Sequence, residues 1–450
     1  MRPPAGAPDA LRQLMRGEWI DPDGGPPVGV PVRAVAIERS LRGLEAELVS
    51  SLGLGRRLAV VSDATTRTVL GERVERALAA LGTVIPIVLE GQPHADVQTV
   101  EKLRRACVSA DALVAVGSGT INDLCKCAAA TDGKPYAVFA TAPSMNGYTS
   151  TNAAITVDGH KQSLAAAAPA GVFIDLEVLA QAPARMIRAG LGDSLCRSTA
   201  QADWLLSHHL LGTPYRRAPF ALLAKDESVL LNEPEALFTG DPEAMRALAR
   251  TLVLSGHGMT ICGGSHPASQ GEHLISHYID MFAPPGRPSI FHGEQVAVAT
   301  LTMARLQEDV LAAGPPQVHP AAVTRDTLRR LFGAETGESC WREFEAKCLS
   351  GVAATKLSRR IADVWDDMVR AIRAVTLPAS RLAAVLARVG GPSTPADIGL
   401  SRDFYAAAVR NARFLRNRYT FLDLADDSGR LERMWPSAQA LVREQKACRD

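Results

Sequence analysis

The period of hydrophobic and polar positions changes twice along the 450-residue chain. From Arg56 to Ser144, short β-rich runs alternate with longer stretches in which apolar residues recur every three or four positions. In order these are RRLAVVSDA, TTRTVLGERVERALAALG, TVIPIVLEG, ADVQTVEKLRRACVSA, ALVAVGSG, TINDLCKCAAATDG and YAVFATAPS. Strand and helix in strict succession predict parallel strands with crossover helices, a Rossmann-like, doubly wound α/β sheet. The segment NAAITVDGHKQSLAAAAPAGVFID then places Asp158 and Gly159 between two β-like runs, a hairpin inserted before the last strand. Beyond Pro183 the period is helical almost throughout, including a long tail from Trp341 to Val442. The expected organisation is an irregular Pro- and Gly-rich lead-in at 1–30, an α/β domain at 31–182 and an all-α domain at 183–450.

Composition narrows the class. Apolar residues make up 47% and charged residues 22%, and Lys+Arg 49 against Asp+Glu 48 leaves a formal charge of +1. That balance fits an ordinary folded protein and advertises no nucleic-acid partner. The N-terminus lacks the unbroken apolar stretch of a signal peptide, and no run of about 18 uncharged apolar residues marks a membrane span. The eight cysteines form no CxxC pair, so reduced thiols in a cytoplasm are expected, with Cys125 and Cys127 packed on a helix. A small-molecule substrate and a homo-oligomer, a dimer or larger, complete the expectation.

The chemistry concentrates in a few segments. In VAVGSGTIND, Gly117 and Gly119 fall between a buried strand and a helix. Glycines there let backbone approach a phosphate at a helix N-terminus, although an ordinary tight turn has the same look. Asp63 ends the first strand of the alternating pattern, where a carboxylate can accept from a ribose hydroxyl or simply cap the next helix. In the helical half, Asp193 lies in RAGLGDSLCR, His273 and His277 in QGEHLISH, and His292 in FHGEQ. One carboxylate and neutral imidazoles suit zinc, nickel or ferrous iron, while a histidine pair at i, i+4 is also compatible with local hydrogen bonding. His208 and His209 read as a helix-end surface pair, and Arg413, Arg416 and Arg418 as a basic stripe.

Taken in order, the strand-end Asp, GSGTINDLCK, TAPSMNGYTS, GHKQS, FIDLEVL, AGLGDSL, GGSHPAS, EHLISH, HGEQVAV and RNRYTFLDL form a series from about Leu58 to Leu424. That series resembles the iron-containing alcohol dehydrogenase superfamily, and within it the bacterial sn-glycerol-1-phosphate dehydrogenases. The resemblance implies a dehydroquinate synthase-like fold, with a dinucleotide-binding domain followed by a helical metal- and substrate-binding domain. It implies NAD, with NADP as the other candidate, held by Asp63, Gly117, Ser118, Gly119, Thr120, Asp123, Thr141 and Ser144. One divalent metal, zinc first with nickel or iron also compatible, would be held by Asp193, His273 and His292. His277 is then a helper near the site, and Lys161 a candidate substrate contact in the hairpin. The implied reaction interconverts a small ketone and alcohol, with dihydroxyacetone phosphate and sn-glycerol 1-phosphate as the model pair.

Two positions depart from the family pattern near the implied substrate site. Asn146 stands where the family carries Asp, and His266 where it carries Arg, with Gln270 replacing a small residue nearby. An amide accepts and donates but takes no proton, so Asn146 as a catalytic group differs from a carboxylate. An imidazole lacks the fork that a guanidinium offers a phosphate. Three alternatives are open on these grounds: an enzyme of altered substrate specificity, a 3-dehydroquinate synthase-like cyclase that uses NAD within one turnover, and a binding protein without turnover.

Overall fold

The computed structural model describes residues 9–284 and 289–434. The ends of the chain, with Cys448 and the last residues of the expected helical tail, lie outside the described residues. Two compact units are present, one containing residues up to 157 with 161–194 and 216–267, the other 158–160, 195–215 and 268 onward.

The first unit holds a six-stranded parallel sheet, built from β1 (Ala34–Glu38), β2 (Arg57–Asp63), β3 (Thr83–Leu89), β4 (Ala112–Gly117), β5 (Tyr136–Ala140) and β8 (Gly171–Asp175). Its order is β1-β8-β5-β4-β2-β3. The central strands are continuous apolar runs because helices cover both faces, and every residue of β4 and β5 is buried. β3 pairs only with β2, and this edge position tolerates Pro86, which has no N–H for a further partner. The chain steps from β2 outward to β3 and then returns to β4 on the other side of β2. This reversal places the carboxyl ends of β2 and β4, Asp63 and Gly117, side by side at the kind of switch point where open α/β sheets bind ligands.

The expected hairpin is present as β6 (Asn152–Val157) and β7 (His160–Ala165). Asp158 and Gly159 have φ of 50° and 75°, the left-handed pair that a two-residue turn needs to match strand twist. The helical stretch after β2 is less regular than its pattern: a turn of wider π geometry, Arg67–Gly71, interrupts it between Ala64–Thr66 and Glu72–Leu78.

Two expectations are corrected. The lead-in is not irregular throughout, since Ala10–Arg16 is a helix whose N-terminus Asp9 caps through Leu11 N. Asp9 also pairs with Arg250, 2.8 Å away, while Asp21 pairs with Arg216 and Asp23 accepts from the Arg217 and Ala218 amides. Long-range charge pairing, invisible to local pattern, orders this segment. The boundary at 182/183 also falls elsewhere. The helices Ala218–Asn232 and Pro242–Ile261 belong with the sheet, partly through these ion pairs and partly because Thr149 donates to Val253 O at 2.6 Å.

The second unit is helical, with a core that includes Leu274, Tyr278, Val298, Met303, Phe344 and Phe414. Arg413, one member of the basic stripe, is a structural group. Buried, it donates to Asp423 at 3.0 Å and Asp427 at 2.7 Å and pairs with Asp426, and Lys347 reaches Asp423 at 2.8 Å. Pairing of this kind offsets the cost of burying the charges. No helix among the described residues is long and apolar enough to cross a membrane.

Candidate active site

In the first unit, helix Gly119–Thr131 begins directly after β4, with Ser118 at the N-cap making no side-chain capping bond. Its first-turn N–H groups and positive dipole end therefore face outward from the helix, an arrangement that suits an anionic phosphate. A side chain at Gly117 would lie 2.6 Å from Ile121 Cβ, so this glycine is also required by the turn itself. Thr141 is buried beside the turn, its N–H donating to Gly117 O at 3.2 Å. Asp63 caps the next helix through Thr66 N at 2.8 Å.

Asn146 is buried, and its backbone N–H donates to Asp193 Oδ2 at 2.7 Å. The loop carrying Asn146 and the helix Ala184–Leu195 carrying Asp193 approach so closely that a Cβ at Gly190 would stand 1.6 Å from Pro143 O. Ser144 lies on the same loop and interacts with the Tyr148 hydroxyl. Asp123 is half-buried and accepts from Ala154 N at 3.2 Å, tying the glycine-loop helix to the hairpin. Burial pushes its carboxyl up, opposed by the charges of Lys126 and Lys161. Lys161 and His266 are half-buried within this unit.

In the second unit, His273 and His277 sit on helix Gly271–Phe282 and His292 opens helix His292–Ala312. Leu274, Ile275, Tyr278 and Ile279 bury that first helix in the core, which carries its histidines toward His292. The ring centroids of His273 and His292 are 5.1 Å apart, against 6.3 Å for His273 and His277 and 6.4 Å for His277 and His292. The structure thus gathers all three, with His273 and His292 as the tightest pair. His273 Nδ1 lies 2.9 Å from Glu272 Oε1. A carboxylate only accepts, so Nδ1 donates and the ring's lone pair is on Nε2, the form a metal ligand needs. Cys196, a buried thiol, has its sulfur within 4.8 Å of a ligand atom of His273 and donates to Ala268 O at 3.5 Å.

Residues 36–183 match the model of the iron-containing alcohol dehydrogenase family. A glycerol-1-phosphate dehydrogenase [NAD(P)+] of Bacillus licheniformis is 30% identical over 382 residues, covering 84% of this chain and 84% of that protein. The chain belongs to the iron-containing alcohol dehydrogenase family. The enzyme of the same name from Bacillus subtilis is 31% identical, covering 83% of this dehydrogenase and 86% of its own length. Another from Thermococcus kodakarensis is 32% identical over 61% of this chain and 77% of its own. Among solved structures, an archaeal halo-thermophilic Red Sea brine pool alcohol dehydrogenase superposes with a TM-score of 0.58 at 14% identity, covering 90% of this chain and 98% of that one. Schizosaccharomyces pombe glycerol dehydrogenase gives 0.54 at 18% identity, over 81% and 93%. At these identities the structural likeness speaks to fold.

Several residues that shape the candidate site lie inside the quoted motifs but are not singled out by them. Lys126 is fully buried on the glycine-loop helix and donates to Gly147 O at 2.6 Å and to Ser150 Oγ and Asn152 O at 3.0 Å. Burial pushes its ammonium down to about 8, against the pull of Asp123. It anchors the segment that comes after Asn146. Glu272, Ser276 and Gln295, which support the histidines, look in sequence like any polar residue on a helix. The other eye-catching residues stay bland. Cys125 is buried, Cys127 is half-buried, and both are free thiols, as are Cys107, Cys262, Cys340 and Cys348. His208 and His209 occupy the last turn of helix Arg197–Leu211.

Proposed function

We propose that this dehydrogenase catalyses reversible, NAD(P)H-dependent reduction of a small ketone with the help of one divalent metal, the physiological pair being dihydroxyacetone phosphate and sn-glycerol 1-phosphate. The observation that carries this reading is the 382-residue match to the Bacillus licheniformis enzyme, longer than either compact unit and therefore drawing on both.

The donor set suits a metal. His273 and His292 are close enough that two imidazolium charges would repel, whereas neutral rings can ligate. Asp193 is the carboxylate that the family resemblance adds, and His277 stays an outer helper. Zinc, nickel and ferrous iron all accept such donors. The uncapped N-terminus of helix Gly119–Thr131 supports pyrophosphate binding by Gly117, Ser118, Gly119 and Thr120. Asp63 would accept from the adenosine ribose, with Thr141, Ser144 and Asp123 further along the cofactor.

When bound, the nicotinamide supplies hydride and the cation polarises the carbonyl. The protein's own work is orientation: Lys161 and His266 would meet the substrate's polar end, and Asn146 would donate to or accept from a hydroxyl. Asn146 takes no proton, so a proton would reach the product alcohol through water or the cofactor's ribose hydroxyls. A cytoplasmic homo-oligomer, dimer or larger, belongs to the same reading.

The test is net NADH oxidation by metal-loaded protein over phosphorylated and unphosphorylated small ketones, with and without chelator. Chelator-sensitive oxidation with a three-carbon ketone is expected. Absence of net NADH consumption with every ketone would overturn the proposal in favour of a cyclase or a binding protein.

A further inference from the structure

His292 Nδ1 lies 3.1 Å from Ser276 Oγ, a hydroxyl that could either donate or accept. Two further hydrogen bonds, made by Gln295, remove that freedom. Gln295 Nε2 lies 2.8 Å from Asp280 Oδ1. A carboxylate only accepts, so the amide must present its NH₂ to Asp280 and its carbonyl to the other side. That carbonyl, Oε1, is 2.7 Å from Ser276 Oγ, and a carbonyl also only accepts. The single hydroxyl proton of Ser276 is therefore committed to Gln295, and Ser276 Oγ can only accept from His292 Nδ1–H. Ser276 and Gln295 are fully buried, so water does not compete for these bonds, while Asp280 is exposed at the far end.

We infer that Asp280, Gln295 and Ser276 form a polarity relay that holds His292 in its Nδ1–H tautomer and so puts the ring's lone pair on Nε2 for a metal. This deepens the metal reading above and rests on it. The three are positioning residues, and the relay reaches the same tautomer for His292 that Glu272 imposes on His273 directly. Each imidazole is thus oriented by a partner on its Nδ1 side, the arrangement that raises ligand basicity at the other nitrogen. Gln295 is the decisive link. Replaced by an apolar residue of similar volume, it no longer takes the Ser276 proton, which can then be donated to His292 Nδ1. The ring would be left with its proton on Nε2, where ligation requires the proton to leave.

The relay is tested on the full-length protein, stripped of metal and labelled with 15N-histidine, by long-range proton–nitrogen NMR at pH 8. Zinc affinity of the same samples is measured by chelator competition. Wild type is expected to show the Nδ1–H tautomer at His292, identified by its loss in His292→Ala. Gln295→Met is expected to shift the ring toward Nε2–H and to weaken zinc binding roughly ten- to a hundredfold. Since that substitution is buried, the exposed position supplies a second variant. Asp280→Asn, which no longer dictates the amide's orientation, is expected to give a mixture of tautomers, and Asp280→Glu to restore the wild-type spectrum. A purely structural role would leave the tautomer unchanged in folded variants. An Nε2–H ring in the wild type, or a tautomer unmoved by both Gln295→Met and Asp280→Asn, overturns the relay even if zinc binds. The expected tautomers in a wild type that takes up no zinc overturn the metal reading and the relay's purpose together, and the spectra tell this failure from the first.

Discussion

The Asp63 carboxylate caps the helix after β2 through Thr66 N. In the proposed function it would also accept from the adenosine ribose and repel a 2′-phosphate. NADH is therefore expected to be used in preference to NADPH. Asp63→Ser, which keeps a capping oxygen and drops the charge, is expected to raise the NADPH to NADH ratio of kcat/KM about tenfold; NADPH as the better cofactor of the wild type would contradict the assignment. Asn146 and His266 make the second prediction at this scale. Activity on dihydroxyacetone phosphate is expected to be weaker than in family members that carry Asp and Arg at these positions, or the preferred ketone to be shifted, and Asn146→Asp together with His266→Arg is expected to raise it. A wild type already efficient on that substrate and damaged by the double change would refute this reading of the two positions. The histidines, Asp193 and the glycine loop stand out as candidates in sequence because ordered motifs carry them. Glu272, Ser276, Gln295 and Lys126 lie in the same motifs, but their roles were not legible, because burial alone gives a polar helix residue its meaning, and burial depends on what the fold brings against it.

The elements of the first unit are fixed by close approach and by burial. Helix Ala184–Leu195 can meet the loop carrying Asn146 only because Gly190 lacks a side chain. Gly190→Ala is expected to cost about 3 kcal/mol, read as a lowered urea midpoint, since the added methyl must displace the Pro143 carbonyl; an unchanged midpoint would contradict the packing described. Helix Pro242–Ile261 carries His257, fully buried and without a hydrogen-bond partner for either ring nitrogen among the described residues. Burial pushes this imidazole down to about 4 from 6.5. Between those values the unfolded chain binds a proton that the folded protein refuses, so stability present above pH 6.5 is lost as pH falls toward 4. The loss is about 2 kcal/mol on going from pH 7.5 to pH 5. His257→Leu is expected to flatten that decline in urea unfolding at the two pH values, and an identical slope in both proteins would exclude the effect. Central strands such as β4 were legible as apolar runs with helix-period flanks. β1 (Ala34–Glu38) was not, because five residues after a Pro- and Gly-rich stretch carry little pattern, and its place is set by pairing with β8.

At the scale of the whole molecule, the α/β half followed by a helical half was legible, whereas the division of the chain between compact units was not. Residues 216–267 return to the unit that holds the sheet, drawn by ion pairs such as Arg250 with Asp9, which join positions far apart in sequence. Periodicity reports each helix but not its destination. The family match, covering 84% of the Bacillus licheniformis relative, gives the whole chain one reaction class, and its metal ligands are the central claim. The direct test is elemental analysis of purified wild type, His292→Ala and His277→Ala, with NADH binding followed by fluorescence in the same samples. About one metal ion per chain is expected in wild type and in His277→Ala and none in His292→Ala, with NADH bound by all three. Metal retained in His292→Ala, or lost only in His277→Ala, would contradict the assignment of the ligands.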